Sequence, residues 1–190
     1  MPYRQDIRTL SNSPPAPRRK SATSRQTREL GNWGEAIAAQ WLSHQGWTIL
    51  DRQWRCRWGE LDLVAHGYPA GALTCLGEGT APKTSPTSPI LAFVEVKVRS
   101  RRNWDADGLL AITPQKQAKL QRAAQLYLTE HPQVAALACR FDVALVKWWS
   151  GGRSQTIPSV PERIELGQPV AIGEYCFSLE HYLAGAFDGS

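Results

Sequence analysis

Two carboxylates and one amine carry the chemistry that this sequence could do. Glu95 and Lys97 stand two residues apart in "LAFVEVKVRS", an otherwise apolar run, and Asp62 stands in "GELDLVAH". Carboxylates brought within a few ångströms repel each other unless a proton or a cation lies between them. A hard divalent ion with oxygen ligands resolves that repulsion, and Mg²⁺ commonly takes one or two carboxylates. An amine on the same surface could orient or deprotonate an attacking water, or balance negative charge as a phosphodiester is attacked. The plainer reading of Glu95 and Lys97 is an ion pair. An exposed pair is worth only ~0–1 kcal/mol, which is little reason to interrupt an apolar strand.

Strands must position these groups, because side chains alternate between the two faces of a sheet. In a strand over residues 90–98, Ile90, Ala92, Val94, Val96 and Val98 form one apolar face. Leu91, Phe93, Glu95, Lys97 and Arg99 form the other, which turns charged toward its C-terminal end. In a strand over residues 59–66, Leu61, Leu63 and Ala65 share a face, and Glu60, Asp62, Val64 and His66 share the opposite one. Sequential strands are usually neighbours, so Asp62 and Glu95 are expected to converge.

Further elements frame this pair. Leu30, Trp33, Ile37, Trp41 and Leu42 give residues 27–45 a helical period, with Gly46 at the capping position. Residues 47–54 read as a strand. Residues 67–89, rich in Gly, Pro, Ser and Thr, read as a long loop insertion. A second helix is predicted from Thr113 as N-cap and Pro114 as first helical residue, ending before Pro132. Residues 139–149 read as a fourth strand, and residues 162–166 as a fifth. A short helix is expected within residues 177–187. The sum is an α/β protein with a central mixed β-sheet flanked by helices. Residues 27–190 are expected to form a single domain, in which residues 150–190 are a C-terminal extension.

Charge is unevenly spread. Residues 1–30 hold seven Lys or Arg against two acids, and residues 151–190 hold two against five. The Ser-, Pro- and Arg-rich arm of residues 1–26 lacks any hydrophobic period and is expected to be disordered. Clustered positive charge suits a polyanion such as nucleic acid, although a solvated tail would look the same. Arg99, Arg101 and Arg102 lead from the third strand into a loop with Asn103 and Trp104, a set that could grip phosphates or stack a base. Among the eight tryptophans, Trp33, Trp41 and Trp47 fit core positions, and Trp54, Trp58 and Trp104 are the candidate stackers. Cys56, Cys75, Cys139 and Cys176 form no CxxC pair, so a zinc knuckle is disfavoured and a reducing, cytoplasmic setting is expected. No apolar run approaches the ~20 residues of a membrane-spanning helix.

Asp62 followed by Glu95-x-Lys97 resembles the Asp…Glu-x-Lys signature of the PD-(D/E)XK nucleases. The ordered blocks "GNWGEAIAAQWLSHQGWTIL", "RWGELDLVA", "LAFVEVKVRS", "ITPQKQAKLQRAAQLYL" and "RFDVAL" resemble the bacterial YraN family of restriction-endonuclease-like proteins. The resemblance implies a restriction-endonuclease-like core and a Mg²⁺- or Mn²⁺-dependent endonuclease acting on DNA. It implies Asp62, Glu95 and the Val96 carbonyl as metal ligands, and Lys97 as catalytic lysine. Glu35, in "GNWGEA", is similar to the helical glutamate that supplements the site in Holliday-junction resolvases. Gln117 resembles an auxiliary polar residue on the helix after the strand, while Lys116 could face a phosphate. Junction-cutting relatives are dimers, so a homodimer is implied as well. The alternative is a nucleic-acid-binding or scaffold module that keeps the fold without turnover.

Overall fold

The computed structural model describes residues 24–69, 88–101, 112–151 and 158–187. Most of the basic arm, most of the 67–89 insertion, and Arg102, Asn103 and Trp104 lie outside the described residues. The elements in chain order are α1 (Ser24–His44), β1 (Thr48–Cys56), β2 (Gly59–Gly67), β3 (Ile90–Ser100), α2 (Pro114–Glu130), β4 (Ala138–Ser150), β5 (Pro169–Ile172) and β6 (Tyr175–Phe187).

All six strands form one mixed sheet in the order β1-β2-β3-β4-β6-β5. β1, β2 and β3 pair antiparallel, whereas β3 and β4 run parallel. A parallel pair cannot be joined by a hairpin, and α2 lies in the connection between them. α1 covers one face of the sheet. Leu30, Ile37, Ala38 and Leu42 pack there on Leu63, Ala65, Ala92, Val94, Ala144 and Val146. α2 covers the opposite face, where Leu120, Ala123, Ala124 and Tyr127 meet Val64, Leu91, Phe93, Val143 and Leu145. The even residues of β3 thus face α1 and the odd ones α2, as their alternation predicts.

Local chemistry sets the helix ends. Gly46, at φ 83°, closes α1. Its N–H donates to the Ser43 carbonyl at 3.1 Å, and the Trp47 N–H donates to the Leu42 carbonyl at 3.0 Å. At α2 the Thr113 side chain accepts the Lys116 N–H, and Pro114 follows where no N–H is needed. α1 lies directly against β3 because Gly34 has no side chain: a Cβ there would stand 2.3 Å from Val98 Cγ2.

The C-terminal extension departs from expectation twice. Residues 162–166 are not a strand; Ile164 instead plugs the α1 side of the core. Residues 177–187 are not a helix but most of β6, which pairs with β4 almost end to end. Register shifts between Phe141 and Val143 and between Leu145 and Val146 re-phase the strand. They put Leu179 on the α1 side and Leu183 on the α2 side, where an even interval in an unbulged strand would put both on one face. A third correction concerns Leu61, which packs with Val64 on the α2 side rather than with Leu63 and Ala65.

Candidate active site

The β2–β3 ladder ends at Leu63 opposite Val94. One step further in the same register, Asp62 would face Glu95. The backbone pairing stops there because a side chain takes over: the Val96 N–H donates to Asp62 Oδ2 at 2.7 Å. Asp62 therefore props open the fork between the strands and sets its carboxylate beside Glu95. Both are buried, at 8% and 4% exposure. Removal from water, then the charge of Glu95, pushes the Asp62 carboxyl from 3.8 up to about 7, against the lowering effect of the Val96 N–H.

Lys97, on the same face of β3, donates from Nζ to Glu95 Oε1 at 2.6 Å. Lys116, in the first turn of α2, brings its Nζ to 3.0 Å from the other oxygen, Oε2. Both Glu95 oxygens therefore carry an ammonium partner. The pair fits a small hard cation by its donor chemistry: two crowded carboxylates, one of them pushed up by the charge of the other, and oxygen ligands throughout. Among the described residues, no cluster of three His, Cys, Asp or Glu assembles, so main-chain carbonyls and water would have to complete such a shell.

Glu35 reaches the same region from α1, close enough for its charge to raise the Asp62 pKa further. It accepts from Gln53 Nε2 at 2.8 Å, and the same nitrogen stands 2.8 Å from Asn32 Oδ1. Gln53 holds φ 52°, a strained conformation for a residue other than glycine. Partial burial raises the Glu35 carboxyl, and the Gln53 amide partly offsets this. Gln117 donates its side-chain amide to the Ile112 carbonyl at 3.1 Å, which ties down the start of α2 beside Lys116.

Of the basic residues, Arg99 is exposed on the Lys97 face and donates to the Val98 carbonyl at 3.2 Å. The Arg101 guanidinium lies 6.0 Å from the Trp149 ring centre. Arg102 is outside the described residues. Trp54 proves to be a core residue, edge-on to Tyr127, rather than a stacker. Asp142 lies on the α1 side, paired with Arg140 and away from the carboxylates.

One participant escaped sequence reasoning: Gln53 carries no signal, since neither motif nor period marks a residue that merely holds Glu35. Lys116, expected to face a phosphate, stands instead against Glu95, because α2 follows β3 and its first turn returns over the C-terminal end of that strand, where open α/β sheets place ligands.

A mixed sheet flanked by two helices, with paired carboxylates at a strand fork, defines an α/β protein with a restriction-endonuclease-like core. Residues 34–146 match the model of the "Uncharacterised protein family UPF0102", the YraN family, and the chain belongs to that family. It is 46% identical to a UPF0102 protein of Acaryochloris marina over 92% of this chain and 98% of that one. A UPF0102 protein of Trichodesmium erythraeum is 41% identical over 88% of this chain and 93% of its own. A shorter match, to a UPF0102 protein of Synechococcus sp., is 52% identical over 62% of this chain and 75% of the relative. No helix among the described residues is long and apolar enough to cross a membrane.

Proposed function

We propose that the chain is an endonuclease, dependent on Mg²⁺ or Mn²⁺, that hydrolyses phosphodiester bonds in DNA, with branched or repair intermediates the first substrates to test. One observation carries the reading: Asp62 and Glu95 are buried together at the β2–β3 fork, with the Lys97 ammonium 2.6 Å from Glu95 Oε1 and the Lys116 ammonium 3.0 Å from Oε2. Asp62, Glu95 and the Val96 carbonyl would hold the cation, whose chemistry there is to neutralise the pair and polarise the phosphodiester.

The remaining work falls to the side chains. Lys97 orients the attacking water and stabilises negative charge developing on the phosphate oxygens. Glu35, kept in place by Gln53, supplies a further acceptor near Asp62. Lys116 and Arg99 face phosphates, and Gln117 positions Lys116 by fixing the helix start.

The second reading, a binding or scaffold module without turnover, is favoured by a different fact. Lys97 and Lys116 already balance Glu95 by themselves. Incubation with single strands, duplexes, flaps and four-way junctions, with Mg²⁺ or Mn²⁺, separates the two. Cleavage abolished by Glu95→Ala and by Lys97→Ala establishes the nuclease. Tight binding without product on every substrate establishes the module.

A further inference from the structure

Beside the carboxylates, the β1–β2 turn and the start of α2 enclose an open cleft of about 330 Å³. Arg55, Trp58, Glu60, Lys116 and Lys119 line it. The turn is tight: Cys56 pairs with Gly59, and Gly59 adopts φ 137°, a conformation that favours glycine. Only Arg57 and Trp58 lie between them, so Trp58 projects with 37% of its surface exposed. Two guanidinium groups flank its ring, Arg57 at 5.2 Å and Arg122 at 5.0 Å from the centre.

Lys116, Lys119 and Arg122 recur every three residues, so they form one stripe along α2. The stripe covers about 9 Å of helix axis. At one end Lys116 reaches Glu95 Oε2; at the other Arg122 covers Trp58. A lone exposed aromatic is ordinary. An aromatic at the end of a basic stripe that leads to paired carboxylates is not, because a positive groove with a stacking platform is how single strands are held.

We infer that this cleft takes an unpaired nucleotide of DNA, its base stacked on Trp58 and its neighbouring phosphates running along Lys119 and Lys116 toward Glu95. The assignment deepens the proposed nuclease reading, on which it rests. Phosphate contacts alone need no aromatic ring. Bases inside a duplex are already stacked on both faces, so only a base outside the stack can use Trp58. A stacked base gains more from the ring than an exposed guanidinium does. Arg57 or Arg122 would then yield the ring and take a phosphate oxygen. Strand ends, flaps and junction arms all present such nucleotides.

The test is a titration of the full chain in EDTA, where no phosphodiester is cut. The probes are a fluorescein-labelled blunt duplex and the same duplex with a single-stranded thymidine tail. The native chain is expected to bind the tailed probe more tightly. Trp58→Ala should lower affinity for the tailed probe by about five- to 150-fold, toward the blunt value. Trp58→Phe, which keeps a ring face, should retain most of the preference. Two outcomes overturn the assignment: no tail preference in the native chain, or a preference that survives Trp58→Ala, including one that Lys119→Ala and Arg122→Ala remove. The measurement needs neither cation nor hydrolysis. A chain that never cuts DNA can therefore pass it, and a nuclease whose preference ignores Trp58 fails it.

Discussion

Asp62 holds its place opposite Glu95 by accepting the Val96 N–H at 2.7 Å, one residue past the last backbone rung between their strands. A strand pair would normally offer that amide a main-chain carbonyl. Here a carboxylate replaces the carbonyl, and the sheet opens at the point where two acids meet. The bond that ends the ladder is the same bond that aims the side chain. Fold and site are therefore not separable at Asp62.

That arrangement costs stability in a pH-dependent way. Burial and the Glu95 charge raise the Asp62 pKa from 3.8 to about 7. Between those values the native chain binds more protons than the unfolded chain, so stability falls as pH rises through the window, and the loss is complete above it. Each unit is worth about 1.4 kcal/mol, so the cost at roughly pH 8 is on the order of a few kcal/mol. Asp62→Asn removes the charge but keeps an oxygen that can accept the Val96 N–H. Its Tm should exceed the native value at that pH by several degrees, at about 2–4 °C per kcal/mol for a chain of this size. The gap should close toward pH 4. Equal melting at both pH values would refute the electrostatic account.

Lys97 and a divalent cation compete for Glu95. Lys97→Met frees Oε1 of its ammonium partner, so Mn²⁺ should raise the Tm of this variant at lower concentration than it raises that of the native chain. Cleavage should move the opposite way, falling by about 10²- to 10³-fold, the usual loss when one donor to developing negative charge is removed. Thermal melts across a Mn²⁺ series, beside single-turnover cleavage, read both. If Mn²⁺ binding weakens together with cleavage, Lys97 builds the cation site rather than competing with it.

Much of this site is legible in the alternation of β3. Its even residues are all apolar, so Glu95 and Lys97 can only share the other face with Leu91 and Phe93, and they do. The convergence of Asp62 is a weaker inference, since it depends on register across a long insertion that composition does not fix. Leu61 shows the consequence. Past the last rung the strands diverge, and alternation no longer says which side a residue takes. β6 fails for a related reason: its bulges break the alternation that would mark residues 177–187 as a strand, and the demand of β4 for a partner decides their conformation. Contacts such as Gln53 with Glu35 leave no trace in any period.

Gly34 sets the distance between α1 and the site. A Cβ at this position would lie 2.3 Å from Val98 Cγ2 and 3.6 Å from Val98 Cβ, and a β-branched neighbour has few rotamers to escape into. Gly34→Ala should destabilise the chain by about 1–3 kcal/mol in denaturant unfolding, the range for overpacking. It should also slow cleavage, because Glu35 is the next residue on the helix. Adding Val98→Ala makes room for the new methyl group and should recover most of both losses. Failure of the double variant to recover would mean that the helix is held off by something other than this contact.

Asp142 is the buried carboxylate whose role is structural. It is 0% exposed and accepts from Arg140 Nε at 2.7 Å, Arg140 Nη2 at 2.8 Å, Tyr182 Oη at 2.6 Å and the Gly185 N–H at 2.9 Å. These bonds tie β6 to β4 beside a register shift. Burial, then the Asp142 charge, holds the Tyr182 phenol above its usual range. Asp142→Asn leaves a half-buried guanidinium without its counter-charge, which costs about 3–5 kcal/mol for a fully buried pair. The lower end applies here because the Arg140 side chain keeps 23% exposure. Asp142 and Asp62 lie two strands apart and share no hydrogen-bond partner, so their effects should be independent. At roughly pH 8, where Asp62→Asn stabilises, the double variant should match the sum of the singles to within about 0.5 kcal/mol. A larger discrepancy would mean that the two carboxylates are coupled through the sheet.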